Sequence, residues 1–379
     1  MSALARPAGS AWPDPGIDAA LEEIRGGAAA RDRDPAFPSD AFARLRDAGA
    51  LSLTVPGADG ARRVPYGTEW GAVRAVAAAD ASVGRIYDGH LNAVERLSVA
   101  APEPLRSREL RAVAAGELTL GVWGADPAPG EGPPARLVWH AGTGPALQGV
   151  KVFCSGAGGV ERALVLARRD TRARGAREPS ITEPGPPLLA YVDLSDGIRI
   201  DRDWYRGAGM RASESHRVIF DGARVLAVLG SPGELSREPW FGRDAIRTAA
   251  SWAGIADSAA AAALSLLAER DPRSPLEALA AGRIAAAGAA IDALLSAAAA
   301  RAEREPDASQ LQESILLRAQ VAASAEALLD DAVRACGSRP LASGSALDRA
   351  RRDLGVFLFQ HRIDPLLARV GESLLDERD

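Results

Sequence analysis

The stretch Thr119-Leu-Gly-Val-Trp123 marks the point where the sequence changes from a helical pattern to a strand pattern. Turn-forming clusters, including Pro127-Ala-Pro-Gly130 and Asp221-Gly222, divide the residues that follow into short apolar runs. Runs at this spacing are typical of a small antiparallel barrel or sandwich. We therefore expect a central antiparallel β domain over residues 118–235, with further strands at 136–140, 149–154, 163–168, 188–192, 218–220 and 225–228.

Helical patterns flank this domain on both sides. On the N-terminal side, Ser39-Asp40 precede a run with apolar residues at helical spacing, and Gly49 is a typical helix stop. Alanine-rich segments on the C-terminal side let helices approach closely, as in a bundle. We expect an α+β multidomain fold, with an N-terminal helical domain over 1–117 and a C-terminal four-helix bundle over 236–379. The predicted helices are 41–48, 70–81, 84–99, 243–270, 275–303, 309–336, 345–360 and 365–375.

Composition narrows the functional classes. The net charge of −5 predicts neither nucleic-acid binding nor binding to an anionic membrane. Cys154 and Cys336 are far apart and lack metal-ligand spacing, so we expect no metal site and a reduced, cytoplasmic setting. Residues 1–12 lack the pattern of a signal peptide. Polar residues interrupt the apolar run 249–268, which favours a buried bundle helix over a membrane span.

Three local motifs occur in order along the chain. They are Phe37-Pro38, Asp80-Ala-Ser-Val83, and Gly209-Met-Arg-Ala-Ser-Glu-Ser215 leading into Val218-Ile-Phe220. Together with the order of helices, strands and helices, they resemble the acyl-CoA dehydrogenase superfamily. The resemblance implies FAD held between the β domain and the bundle, with help from a neighbouring subunit. It therefore implies a homodimer or homotetramer.

The family's first flavin-binding pattern, Val-Thr-Glu-Pro-Gly-Ala-Gly-Ser, aligns with Gly124-Ala-Asp-Pro-Ala-Pro-Gly-Glu131. The resemblance implies that Gly124, Ala125 and Gly130 lie at the flavin. The threonine of the pattern has become Ala125, and its last serine has become Glu131. A carboxylate facing a pyrophosphate would repel it unless the side chain turns away.

The family's second pattern, Lys-x-Trp-Ile-Thr, aligns with Lys151-Val-Phe-Cys-Ser155. By this resemblance Phe153 covers the flavin ring and Ser155 supplies a hydroxyl. The resemblance also implies that Arg270, in the pair Glu269-Arg270, is the candidate partner for the pyrophosphate of the FAD bound to the partner subunit. The Phe-Gly pair and the glutamine that follow in the family are missing here, so FMN is an alternative cofactor.

Proton abstraction beside a thioester needs a base. Most family members carry a glutamate eight residues after the aspartate of an Arg-Asp pair, and counting from Asp353 leads to His361. The isovaleryl-type members place the base ten residues before a glycine on the first bundle helix, and counting back from Gly254 leads to Asp244. Asp244 is equally well explained as a carboxylate near a helix N-terminus, favoured by the helix dipole.

Three hypotheses follow. The first, which we prefer as the broadest description, is an acyl-CoA dehydrogenase-like flavin oxidoreductase with Asp244 as its base. Its substrate would be an acyl thioester such as acyl-CoA, or a related small molecule, and it would have an electron-transfer partner. The second is a flavin-dependent monooxygenase of the same fold, of the dibenzothiophene or N-hydroxylating type, using His361, oxygen and flavin reduced by a separate reductase. The third is a flavin-binding homologue without turnover.

Overall fold

The strands form a closed ring in the middle of this computed structural model, which describes residues 16–140, 144–170, 186–360 and 362–376. The strands are β1 (Leu120–Trp123), β2 (Arg136–His140), β3 (Gly144–Cys154), β4 (Arg162–Arg169), β5 (Leu188–Asp193), β6 (Ile198–Asp201) and β7 (His216–Leu229). The ring closes through the pairs β4–β2, β2–β3, β3–β7, β7–β5 and β5–β4. β1 and β6 add beside β4 and β7. The predicted β domain is confirmed as a barrel, but β4 pairs in parallel with β1 and β2, which the sequence pattern does not reveal.

The Asp221-Gly222 pair is not the turn that the sequence suggests. β7 runs through it without a break, so the two strands predicted at 218–220 and 225–228 are one. Opposite it, Asp221 pairs with Gln148 and Ala223 with Leu147, so Gly222 is an extra residue on its strand. Gly222 has φ 78°, a left-handed conformation that glycine supplies readily at a bulge.

The N-terminal helices largely follow the prediction. Gly49 ends the second helix region with φ 67°, as expected of a stop. The expected cap at Ser39-Asp40 is absent, because Asp40 lies within the first turn and forms an ion pair with Arg31 at 2.7 Å. The helices are α1 (Gly16–Arg33), α2 (Ser39–Asp47), α3 (Tyr66–Ala79), α4 (Ala81–Ala100) and α5 (Leu105–Ala114), of which α1 and α5 were not predicted.

The bundle is built around its first helix. Its members are α6 (Trp240–Ala268), α7 (Pro275–Arg304), α8 (Leu311–Cys336), α9 (Arg339–Ala342), α10 (Ala346–Phe357) and α11 (Ile363–Asp376). α6 packs against α8, α10 and α3 of the N-terminal domain. Both α6 and α7 are long and apolar enough to cross a membrane by composition alone, but α6 is mostly buried by other helices, whereas much of α7 is exposed. The domain limits at 117/118 and 235/236 stay predictions.

A buried ion network joins α3, α4 and α6. Arg247 on α6 lies at its centre and is fully buried. It pairs with Glu69 of α3, with Glu95 of α4 at 2.8 Å, and with Asp244 one turn before it. Arg96 of α4 contacts the other oxygen of Asp244 at 2.8 Å. Because an unpaired buried charge is costly, this network fixes the relative position of the three helices.

Candidate active site

A cavity of about 550 Å³ lies where the N-terminal helices, the barrel and the bundle meet; we call it the junction cavity. Its walls come from α4, β1 and β3, from the segment before β7, and from α6, α8 and α10. This volume is usual for a small-molecule site. The lining is mostly apolar, with Val122, Leu166, Met210, Leu235, Phe241, Val356, Phe357 and Phe359 among its members.

Phe153 forms part of the barrel wall of the junction cavity. It has φ 52°, a conformation that bulky residues rarely adopt, and it interrupts the β3–β7 register between Lys151 and Cys154. Its side chain is 51% exposed, and its ring meets Trp204 edge-on at 4.8 Å between centroids. The strand therefore presents an aromatic ring to the cavity at the cost of backbone strain, which is a common feature of functional sites.

A chain of three serine hydroxyls starts at the same wall. The hydroxyl of Ser213 donates to the carbonyl oxygen of Met210 at 2.7 Å. Ser215 lies 2.7 Å from Ser213, and Ser155 lies 2.9 Å from Ser215. Since Ser213 has only one hydroxyl proton, Ser215 must donate to Ser213 and Ser155 to Ser215. Ser155 is thus left with free lone pairs at the cavity, where it can accept a hydrogen bond.

The loop that begins at Gly124 is held by β3. Gly124 and Ala125 line the junction cavity. The Lys151 ammonium donates to the carbonyl oxygen of Gly124 at 3.0 Å and to Asp126 at 2.7 Å. Burial lowers the pKa of Lys151, while its pairing with Asp126 opposes that change. Gly130 belongs to the same loop, with φ 93°, but is not part of the lining.

Glu131, which replaces the serine of the family pattern, is not part of the cavity lining. Its carboxylate accepts hydrogen bonds from the indole N–H of Trp204 at 2.9 Å and from the backbone N–H of Ala128 at 2.8 Å. The bond from Trp204 is the main cause that lowers the pKa of Glu131. Both oxygens of the Glu131 carboxylate are therefore occupied by protein donors, which keeps this carboxylate from facing a phosphate group.

α4 presents a polar stripe to the cavity that the sequence analysis missed. Arg85 and Asp88 form a 3.2 Å ion pair, and the Thr248 hydroxyl donates to Asp88 at 3.2 Å. Burial raises the pKa of Asp88, although Arg85 opposes this. Asn92, one turn further along, has a buried side-chain oxygen with no hydrogen-bond partner among the described residues. The spacing of three and four residues on a buried helix is the signal that could have revealed this stripe.

Asp244 lines the junction cavity, as its candidate role requires. Arg96 donates to one of its carboxylate oxygens at 2.8 Å, and Arg247 contacts the other. A proton taken from a substrate would compete with both guanidinium groups for the carboxylate. Asp244 is thus part of the ion network, and its role as a base stays a prediction.

Arg270 does not line the junction cavity of its own chain. Arg270 follows α6 and contacts Glu277 and the carbonyl oxygens of Ala335 and Cys336, so it ties α6 to α7 and α8. His361 lies outside the described residues. Gln360, which precedes it, is part of the cavity lining.

His90 has a structural role. Its Nδ1 accepts from the backbone N–H of Leu120 at 3.0 Å, so its Nε2 carries the proton and donates to the carbonyl oxygen of Leu51 at 2.8 Å. Burial lowers the pKa of His90 to about 4, so the ring is neutral at physiological pH.

The Arg352-Asp353 pair of α10 holds the segment that carries Met210. The Asp353 carboxylate accepts the Met210 backbone N–H at 2.5 Å, and Arg352 donates to the carbonyl oxygen of Ala208 at 2.6 Å. Arg352 also pairs with Asp32 of α1 at 2.7 Å. At Gly209 a Cβ atom would lie 2.0 Å from the carbonyl oxygen of Arg352, so only glycine fits this contact.

The chain is similar to known proteins in sequence and in fold. Residues 18–117 match the family model described as "Acyl-CoA dehydrogenase, N-terminal domain". The structure resembles KijD3 in complex with FMN and a dTDP-linked sugar, with a TM-score of 0.81 and 23% identity over 96% of this chain and 95% of that one. It also resembles FMN-bound TdsC from Paenibacillus sp. A11-2, with a TM-score of 0.80 and 21% identity over 96% and 97% of the two chains.

The relatives that match in sequence are dibenzothiophene monooxygenases. A dibenzothiophene monooxygenase of Rhodococcus qingshengii is 29% identical over 220 residues, which cover 56% of this chain and 49% of the relative. The matched region thus spans about half the length of that relative. These likenesses favour the second hypothesis over the first, which the sequence analysis preferred. Residues 18–117 thus match the N-terminal domain of acyl-CoA dehydrogenases, and the chain as a whole shares the fold of KijD3 and TdsC.

Proposed function

We propose that this protein is a flavin-dependent monooxygenase that inserts one oxygen atom of O₂ into a small organic substrate. The observation that carries the proposal is the junction cavity, in which neither described carboxylate, Asp88 nor Asp244, is free of an arginine partner. Dehydrogenation requires a free base, whereas oxygenation requires chiefly a dry, shaped site. The relatives named above support the same reaction class.

The cavity fits a flavin ring. It combines a strained aromatic wall at Phe153, a hydroxyl acceptor at Ser155 and an unpaired oxygen at Asn92. Bound reduced flavin would supply the electrons that activate oxygen. Phe153 would cover one face of the ring, and Ser155 would accept a hydrogen bond from the ligand. The apolar walls would exclude water from the reacting atoms.

We assign FMN to this cavity in preference to FAD. Arg270, the candidate partner for a pyrophosphate, has its guanidinium engaged by Glu277 and two helix C-terminal carbonyl oxygens. The structural relatives named above were solved with FMN. Binding of FMN and FAD to the purified protein, measured by calorimetry, tests this assignment, and tighter binding of FAD would contradict it.

The activity is tested by supplying FMN and NADH with a separate flavin reductase, in the presence of catalase. We expect products one oxygen atom heavier than indole or dibenzothiophene, detected by mass spectrometry with ¹⁸O₂. Ser155→Ala and Phe153→Ala should lower the yield, whereas Arg334→Met on the exposed side of α8 should not. Anaerobic bleaching of oxidised flavin by an acyl-CoA would instead support a dehydrogenase. A protein that binds neither FMN nor FAD would support the homologue without turnover.

We also propose that the protein is a cytoplasmic homo-oligomer that receives reduced flavin from a reductase. Both cysteines, Cys154 and Cys336, are free and buried, which suits a reducing compartment. The exposed side of α7 carries a row of alanines together with Leu276 and Leu279. Such a surface suits a second copy of the chain, because small side chains let helices pack closely.

A further inference from the structure

Arg318 of α8 is a buried cation that forms no ion pair with any described residue. It is 4% exposed and lines the junction cavity. Among the described residues it forms no ion pair, and neither its Nε nor its Nη2 has a hydrogen-bond partner. Its guanidinium lies over the ring of Trp252, 5.2 Å from the centroid. A cation–π contact of this kind positions the charge but leaves its hydrogen-bond donors unused.

The charge of Asp88 acts on Arg318 and favours its protonated form, but no described carboxylate forms an ion pair with it. Of the two described carboxylates in the lining, Asp88 is paired with Arg85, and Asp244 is paired with Arg96 and Arg247. Burial lowers the pKa of Arg318 to about 10, so it remains charged at neutral pH. An arginine that is buried, charged and unpaired is rare in a purely structural role, because desolvation of its charge is unfavourable.

We infer that Arg318 binds an oxyanion of the substrate, a carboxylate, sulfinate or sulfonate attached to an apolar body. A guanidinium that lines the cavity and has unused hydrogen-bond donors matches such a group in charge and in hydrogen-bonding chemistry. The apolar walls of Met210, Phe357 and Phe359 would enclose the rest of the molecule. This inference rests on the proposed function, because it names the substrate class of the same cavity. It makes Arg318 a specificity-determining residue.

Arg318 could bind either an oxyanion of the substrate or the phosphate of the flavin, and a binding experiment distinguishes these two ligands. Calorimetry on the full-length protein would compare 2-naphthoate with the isosteric neutral 2-naphthamide, and FMN with riboflavin. We expect the wild type to bind the acid at least tenfold more tightly than the amide. The preference should disappear in Arg318→Met, persist partly in Arg318→Lys, and be unchanged in Arg334→Met on the same helix. An unchanged preference in Arg318→Met would overturn the inference.

A loss of the preference for FMN over riboflavin in Arg318→Met, with the naphthoate preference intact, would also overturn it. Ligand-free Arg318→Met should melt at the temperature of the wild type or above it, because the variant removes an unpaired buried charge. A markedly lower melting temperature, with the naphthoate preference kept, would show a structural role.

The outcome is independent of the proposed activity. Selective binding of naphthoate without any oxygenated product would contradict the monooxygenase proposal and leave the anion site standing. If the protein oxygenates neutral indole but binds 2-naphthoate and 2-naphthamide equally well, the monooxygenase proposal stands and the anion site is contradicted.

Discussion

Phe153 shows how much this site depends on one backbone conformation. Its left-handed φ turns an aromatic ring out of β3 and into the junction cavity. A non-glycine residue in this region costs about 1–2 kcal/mol. The cost is tolerated because the flanking strand is held by β7 on both sides of the distortion.

We predict that Phe153→Gly separates stability from flavin binding. Glycine relieves the strain but adds about 0.5–1 kcal/mol of backbone entropy and loses the contact with Trp204, so the free energy of unfolding should change by no more than about 1 kcal/mol. Affinity for FMN should fall at least about tenfold, since stacking on an aromatic ring contributes about 1–3 kcal/mol. Urea denaturation and calorimetry test this, with Phe153→Trp as the ring-retaining control. A large loss of stability would show that the ring serves packing instead.

Asp353 makes stability depend on pH. Burial raises its pKa to about 7, with Asp80 and Asp32 adding to the effect, while the Met210 N–H and Arg352 oppose it. In an unfolded chain the pKa is about 3.9. Between these values the folded state holds a proton that the unfolded chain has released, so stability falls as pH rises from about 4 to 7.

Asp353→Asn should remove this dependence, because the amide oxygen can still accept the Met210 N–H but carries no charge. We expect its urea midpoint to exceed that of the wild type at pH 8 and to change less between pH 5 and pH 8. Parallel pH profiles for the two proteins would contradict this interpretation.

At the scale of the elements, the contact between α6 and α3 depends on a glycine. A Cβ at Gly254 would lie 2.1 Å from the carbonyl oxygen of Arg74, so the two helix backbones touch. Gly282 of α7, in contrast, has open space where its Cβ would be.

We predict opposite effects of the same substitution at these two glycines. Gly254→Ala should force the helices apart and destabilise the protein by about 1–3 kcal/mol or more. Gly282→Ala should stabilise it by about 0.5–1 kcal/mol through helix propensity alone. Thermal melting of both variants tests this. Equal effects would mean that α3 and α6 can shift without loss.

The elements also show what a sequence can and cannot predict. Most helix positions followed from apolar spacing, although α1 and α5 were not predicted. Gly124, Ala125, Phe153 and Ser155, which the resemblance implied at the flavin, all line one cavity, and their contact with a flavin stays a prediction. The bulge at Gly222 was not predicted, because an Asp-Gly pair occurs both in turns and at bulges within a strand. Arg318 and Asn92 escaped because they are 226 positions apart in sequence, and only the packing of α8 and α4 around a common cavity brings them to one site.

For the whole molecule, the exposed, alanine-rich side of α7 is the surface through which we expect copies of the chain to associate. We predict an oligomer by light scattering, and we expect Ala286→Glu combined with Ala293→Glu to convert it to monomers. Both alanines are exposed in the single chain, so the melting temperature should change only through loss of assembly. Arg334→Glu on α8 changes the net charge by the same two units and is the charge control. A wild type that is monomeric at micromolar concentration would contradict the proposal.

The clamp between Asp353 and Met210 has a consequence for synthesis of the chain. The two residues are 143 positions apart, so the segment around Met210 is made long before the carboxylate that fixes it. At about 5–20 residues per second, that interval is roughly 7–30 s. During this time the barrel can fold while its ligand-facing segment stays unanchored. A nascent chain from which Asp353 has not yet emerged therefore cannot carry a finished site.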